Sequence, residues 1–351
     1  MNTTETTVFT QTAAATNEFL EKQFALRIKE AAAMHPSYAS LWIETARVVT
    51  RGGKRLRPYL VMIGCGRYTS AAIPIAAAQE LLHAAMLIHD DIIDRDNIRR
   101  GEPNINGAYS ARYSQYLSPE NAQHFAHGAG ILAGDILISE AYRYITEFTI
   151  AQDISARLVK TMHTSIFTVI GGELMDVEAA FMHDVSFDPI MISRYKTASY
   201  SFIGPLLAGA YWAGASPDLL EKVTEFGTYA GIAFQLQDDM LNVFGDEHKT
   251  GKPVLADLRE AKATYLIQEY ISTLDDTALS HFRTIFGNPY ASTEELETLK
   301  TAIAATSAVE KTEALISDYF EKAAAVAKTM PDAFRREELE ALLGKLDHRT
   351  E

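Results

Sequence analysis

Apolar residues spaced three and four apart recur along almost the whole chain, while strict two-residue alternation and glycine-bounded β-branched runs are nearly absent. A period near 3.6 lines such residues up on one face of a helix and cannot line them up on one face of a strand. The pattern predicts an all-α protein. Helices are expected over about 14–34, 37–50, 55–68, 71–96, 129–148, 151–180, 188–199, 203–213, 217–244 and 256–273, with shorter ones to the C-terminus. Several exceed three or four turns, which suits a large helical bundle around a deep central cavity. Only 20 Gly and 11 Pro among 351 residues, with 47% hydrophobic residues, agree with a compact helical chain. No low-complexity linker, charge block or solenoid-length repeat divides the chain, so one domain is expected over 14–351, its part from Asp275 onward a more polar helical layer.

The first residues, MNTTETTVFTQTA, are Thr-rich, carry no Lys or Arg and lack an apolar run. They match neither a signal nor a transit peptide and are expected to form a disordered tail over 1–13. The longest mostly apolar stretches, such as Ser201–Ala215, are interrupted by Gly and Pro and are expected to fall short of the ~18 residues of a membrane span. The single cysteine, Cys65, cannot form an internal disulfide and gives no reason to invoke an oxidising compartment. A soluble, cytoplasmic protein without stable membrane insertion is expected. The net charge of −14 opposes nucleic acid, which is bound chiefly by neutralising phosphates. It opposes a phosphorylated ligand too, unless metal ions intervene.

That tension bears on "LLHAAMLIHDDIIDRDNIRRG", Leu81–Gly101, where a core-like helix runs into four aspartates and then two arginines. Unpaired buried carboxylates are costly, so these must meet cations or water. On a helix Asp90 and Asp94 point the same way and Asp91 lies about 100° round from Asp90. Two carboxylates on one face seat a hard divalent cation. In "FQLQDDMLNVFGD" Asp238 and Asn242 stand four apart, and Asp246 would share their face if the helix passed Gly245. So few oxygen ligands per site suits Mg²⁺, which keeps waters and completes its octahedron with substrate phosphates. Both motifs sit on long apolar helices and could face one cavity from opposite walls.

Cations accompany them. Arg99 and Arg100 follow the first motif, and "RGGKRLRP" places Lys54 and Arg57 three apart at a helix start after two glycines. Guanidinium forks grip phosphate oxygens in a bidentate way that lysine cannot. Taken singly, an isolated D-D-x-x-D is more often a solvated helix end, and a basic cluster more often a solvated face. Together they describe metal and guanidinium groups around two phosphorylated ligands. Two other readings compete. His89-Asp90 has the form of an HD phosphohydrolase core, which needs further His ligands. Glu80-x-x-His83 is half of a carboxylate-bridged di-iron site, but no second E-x-x-H exists in the chain. Glu173 and Asp176, after Gly171-Gly172, read as structural or as supports for the groups that hold the ligands.

The segments "GGKRLRP", "LIHDDIIDRDNIRRGEP", "YKTASYSF" and "FQLQDDMLNVFGDEHKTGKPVLADLREAKAT" resemble, in order and spacing, the trans-type isoprenyl (polyprenyl) diphosphate synthases from about Gly52 to Thr264, most like a geranylgeranyl diphosphate synthase. The resemblance implies an all-helical isoprenoid synthase fold, a homodimer, isoprenyl diphosphate substrates and the use of three Mg²⁺ ions. By position, Asp90, Asp91 and Asp94 resemble the first metal motif, and Asp238 and Asp239 the second, with Asn242 where the family has its final Asp. Lys54, Arg57, His83 and Arg100 resemble the isopentenyl diphosphate pocket. Arg99, Lys196, Thr197, Gln235, Lys252 and Lys262 resemble the groups that hold the allylic diphosphate, with Arg99, Lys196 and Lys262 also countering charge on the leaving group. Ala85 and Met86, with Leu82 and Leu81 a turn deeper, stand where a bulky aromatic stops chain growth early in the family. Geranylgeranyl diphosphate is the expected product, with longer or shorter chains, a terpene cyclase and a non-catalytic prenyltransferase subunit as alternatives.

Overall fold

Thr7 starts the first helix by accepting the Thr10 N–H on its side-chain oxygen at 3.3 Å, the capping role that suits a short hydroxyl residue. The computed structural model describes residues 7–149, 151–182, 187–245 and 255–347, and these are helical almost throughout. Helices α1 (Val8–Met34), α2 (Pro36–Thr50), α3 (Leu56–Cys65) and α4 (Ile73–Ile93) lead into a two-stranded ribbon, β1 (Ile98–Arg99) and β2 (Glu102–Pro103). Next come α5 (Ile105–Tyr113), α6 (Pro119–Phe148), α7 (Gln152–Met182) and α8 (Pro189–Ile192), the last continued by a π-helical stretch over Ser193–Ile203. The chain goes on through α9 (Gly204–Trp212), α10 (Pro217–Phe244), α11 (Ala256–Arg259), α12 (Tyr265–Ile271), α13 (Asp276–Ile285), α14 (Thr293–Ala304), α15 (Ala308–Lys328) and α16 (Ala333–Asp347).

Contacts gather the chain into two compact units, Met1–Met162 with Pro205–Ser216, and His163–Gly204 with Pro217–Glu351. In the first, α4 packs on α6, α3 and α1, and Leu81, Leu82, Ala85 and Ile88 are buried there. In the second, α10 packs on the π-helical stretch and on α15, while Val243, Leu258, Leu266, Phe282 and Ile303 belong to one apolar core.

Several boundaries differ from the sequence expectation. Residues 8–13, expected in a disordered tail, form the first turns of α1; residues 1–6 lie outside the described ones. Thr12 and Thr16 are buried in line with Leu20 and Phe24, so the helical stripe is present but written in threonine, which a count of apolar residues passes over. Phe9 anchors the start by meeting Tyr59 edge-on at 5.1 Å. Helix α5 and nearly the first three turns of α6 were not expected. Their buried face includes Ala122, Ala126 and Asn106, too small or polar to register as apolar periodicity. The expected helix over 256–273 is broken where Ala261 takes a positive φ of 59°. Among the described residues one segment, Ser70–Ile93, is long and apolar enough to cross a membrane, contrary to the expectation that none would be. Its apolar window is 72% buried, which makes it the core helix of its unit.

Candidate active site

Helix α4 ends at its acidic motif by a Schellman arrangement, earlier than the expected residue 96. Asp94 is the C-cap, Arg95 turns left-handed at φ 62°, the Arg95 N–H donates to Ile92 O, and the Asp96 N–H reaches Asp91 O at 2.8 Å. The ribbon follows. Arg100 and Gly101 join its strands with φ of 55° and 74°, the positive pair that a tight two-residue hairpin turn needs. This reversal returns Arg99 to the helix it has just left. Its Nε donates to Asp91 Oδ1 at 2.7 Å, and Nη2 lies 3.4 Å from Asp90 Oδ2. Asn104 and Asn106 lock the loop by donating to Asp96 O at 2.9 and 3.1 Å.

The basic loop meets the same place. Gly52 and Gly53 have φ of 76° and 96°, and a Cβ on Gly52 would stand 3.3 Å from Arg100 Nη1. Arg100 Nη1 donates to Arg51 O at 3.4 Å. Lys54 and Arg100 are exposed and Arg57 is half-buried, so these cations line an accessible edge of the first unit. Burial, and then the positive charges of Arg57, Arg99, Arg100 and Arg55, hold the His83 imidazole well below its ordinary pKa. His83 is therefore neutral, a directional hydrogen-bonding group among cations. Burial pushes the Asp91 carboxyl up to about 6 despite Arg99, with Asp90 and Asp96 adding to the rise.

The second unit gathers the other predicted residues. Lys196 and Thr197 lie on the π-helical stretch, a geometry frequent at functional sites. Gly172 of α7 makes room for it, since a Cβ there would come within 2.3 Å of the Lys196 backbone nitrogen. Lys196 Nζ donates to Asp176 Oδ2 at 2.6 Å and to Glu173 at 3.2 Å, and Lys262 Nζ reaches the same Asp176 oxygen at 3.3 Å. Burial alone would raise the Asp176 pKa, but the two ammonium groups hold it at about 2. Thr197 Oγ1 donates to Gln235 Oε1, and Gln235 Nε2 donates to Asp239 Oδ1 at 2.7 Å. Burial, followed by the charge of Asp257, drives the Asp239 carboxyl well above its ordinary pKa. Asn242 Nδ2 donates to Asp257 Oδ2 at 3.0 Å.

Neighbouring residues of one motif thus have different surroundings. Asp91 and Asp239 are buried and hydrogen-bonded to Arg99 and Gln235, whereas Asp90, Asp94 and Asp238 are half-buried. Among the described residues no three His, Cys, Asp or Glu side chains form a group able to hold a metal unaided. Oxygen-only donors, few in number, fit Mg²⁺ completed by water and phosphate. Lys252 and Asp246 lie outside the described residues. Ala85, Leu81 and Leu82 are fully buried and Met86 is half-buried.

Sequence reasoning passed over Asp257 and Arg55. Asp257 sits in "LADLREAKAT" with no spacing to mark it, and Arg55 is hidden between Lys54 and Arg57. Asp176, read as structural or as a support for the ligand-holding groups, pairs with Lys196 and Lys262. The rival motifs dissolve. Glu80 pairs with Arg55 at 2.7 Å instead of facing a metal. The His89 ring packs on α6, with Nε2 3.4 Å from Ile131 O and so close to Gly134 that a Cβ there would stand 2.1 Å from it.

The polyprenyl synthetase family matches residues 42–304. The chain belongs to that family. A geranylgeranyl diphosphate synthase of Sulfolobus acidocaldarius is 33% identical over 263 residues, 73% of this chain and 74% of the relative. A geranylfarnesyl diphosphate synthase of Aeropyrum pernix is 32% identical over 84% of this chain and 90% of its own. The crystal structure of a geranylgeranyl pyrophosphate synthase from Corynebacterium glutamicum, complexed with isoprenyl diphosphate and magnesium, superposes with a TM-score of 0.91 at 29% identity, covering 97% of this chain and 99% of that one. This polyprenyl synthetase is accordingly an all-α trans-isoprenyl diphosphate synthase.

Proposed function

We propose that the enzyme condenses isopentenyl diphosphate head to tail with dimethylallyl, geranyl and farnesyl diphosphates, using Mg²⁺, and releases geranylgeranyl diphosphate as its main product. The observation that carries this is the hairpin turn that folds Arg99 and Arg100 back on the acidic end of α4 and on the glycine loop. It sets guanidinium donors beside carboxylates, which is what a magnesium diphosphate requires and what a solvated helix end does not need.

Asp90, Asp94 and Asp238 would hold the metal, three ions in all, with Asp91, Asp239 and Asn242 shaping the two places from behind. When bound, Mg²⁺ supplies Lewis-acid stabilisation of the departing diphosphate. Arg99, Lys196 and Lys262 add charge where negative charge grows as the allylic C–O bond breaks. Thr197 and Gln235, hydrogen-bonded to each other, orient the same group. Lys54, Arg57, Arg100 and neutral His83 hold isopentenyl diphosphate so that its double bond attacks the allylic carbon. The proton then lost passes to the released diphosphate, so the protein needs no base of its own.

Ala85 and Met86 support the product length, because neither puts an aromatic ring a turn above Asp90. The relatives carry names for both geranylgeranyl and geranylfarnesyl products, so family membership leaves the length to these side chains. A homodimer is supported by Phe167, Ile170, Leu174 and Phe181, which leave apolar surface exposed at helical spacing on α7. The purified protein, given Mg²⁺, labelled isopentenyl diphosphate and each allylic primer in turn, should yield an all-trans product of four isoprene units. Absence of any chain elongation would overturn the reading. Ala85→Phe and Met86→Phe should shorten the product, and unchanged chromatograms from both would place the wall of the tunnel elsewhere.

A further inference from the structure

Arg55 occupies the middle of the basic loop yet is withdrawn from it. It is 4% exposed, in a left-handed conformation at φ 52°, and each arm of its guanidinium has a different partner. Nε donates to Asn17 Oδ1 of α1 at 2.7 Å, Nη1 to Glu80 Oε1 of α4 at 2.7 Å, and Nη2 to Val49 O at the end of α2 at 2.8 Å. One side chain therefore ties three helices together beneath the loop 51–54. Both loop glycines lean on it or on its neighbour: a Cβ on Gly53 would stand 3.5 Å from Arg55 Nη1 and 3.5 Å from Arg100 Nη1. Glu80 lies on the same face of α4 as His83, one turn earlier.

We propose that Arg55, Glu80 and Asn17 form a positioning strut for the cationic pocket, setting the affinity for the non-allylic diphosphate without touching it. The inference rests on the pocket assignment above. Its physical basis is the fork geometry of guanidinium: only Arg meets a carboxylate, an amide oxygen and a main-chain carbonyl at once along three directions, and Lys in its place would leave acceptors unserved. The Arg55 guanidinium lies against Gly53, so the strut backs a loop whose two glycines bring little stiffness of their own. Without it, Lys54 and Arg57 would sample positions instead of converging on one. Glu80 has a second task, since its charge acts on Arg100 and so offsets repulsion among the gathered cations.

A strut that only holds the fold together must be told apart from one that positions a pocket. Breaking a buried ion pair on one side destabilises, whereas replacing both partners by apolar groups of similar volume is tolerated. The test therefore uses Arg55→Lys, Glu80→Gln and the double variant Arg55→Met with Glu80→Leu, each with thermal denaturation and steady-state kinetics on the Mg²⁺-loaded enzyme. In the folded double variant the KM for isopentenyl diphosphate should rise by about ten- to a hundred-fold, the scale of a misplaced binding group, while the KM for the allylic primer stays within about twofold. Binding of isopentenyl diphosphate measured by calorimetry should weaken in parallel. Equal rises in both KM values, or wild-type values for both in any variant that keeps its melting temperature, would overturn the strut. Inactive wild-type enzyme would instead refute the pocket assignment.

Discussion

Two adjacent aspartates can have opposite fates. Asp90 is half-buried, while Asp91 is buried and clasped by Arg99; Asp238 and Asp239 divide in the same way around Gln235. Asp90→Ala and Asp238→Ala should each lower kcat by about 10²-fold or more, the cost of removing a stabiliser of a developing anion. Near-normal turnover in either would sink the metal assignment. Asp176 offers a test without substrate. Its folded pKa, about 2, lies below that of an ordinary carboxylate. Its stabilising effect is therefore complete above about pH 4 and lost as the pH falls through 2, amounting to about 2 kcal/mol. Denaturation followed from pH 6 to pH 2 should show a steeper acid limb in the wild type than in Asp176→Asn; matching limbs would mean that the lysine contacts add no stability. The carboxylate pairs were legible from their spacing, but which member turns inward was not, because Arg99 reaches Asp91 only after the chain reverses.

At the level of elements, the helices most visible beforehand were those whose buried faces are written in large apolar residues, such as α10. Those written in Ala and Thr, such as the starts of α6 and α1, were invisible because burial there depends on a partner surface that accepts small side chains; α5, nine residues with Ile105 and Tyr109 inward, is too short to show a period. The stretch over Ser193–Ile203 was expected as helix for most of its length, but not as a π-helix. Its wider turn puts Lys196 against α7, which has Gly172 at the contact. Gly172→Leu should cost about 1–3 kcal/mol by overpacking. It should also raise the KM for the allylic diphosphate while leaving that for isopentenyl diphosphate unchanged. A variant with normal melting temperature and normal kinetics would show that the close approach of α7 to Lys196 is dispensable.

For the molecule as a whole, the acidic balance of −14 has a use on the proposed reading: it would draw divalent cations, which in turn would admit diphosphates that the chain would otherwise repel. Chelator should abolish turnover, and added Mg²⁺ restore it. Persistence of product in excess chelator would exclude the metal from the reaction. Sedimentation should give a dimer for the wild type, and Phe167→Asp with Leu174→Asp should yield a folded monomer if the exposed face of α7 is covered by a second copy. A dimer that survives both changes would place the interface elsewhere. Helical class, family and the residues that carry charge could all be read from the linear chain, because period and spacing are local properties that survive without coordinates. The inward or outward state of each charge, the strut under Lys54 and the left-handed turns at Arg95 and Arg100 emerged only on folding, since burial and hydrogen-bond partners come from segments far away along the chain.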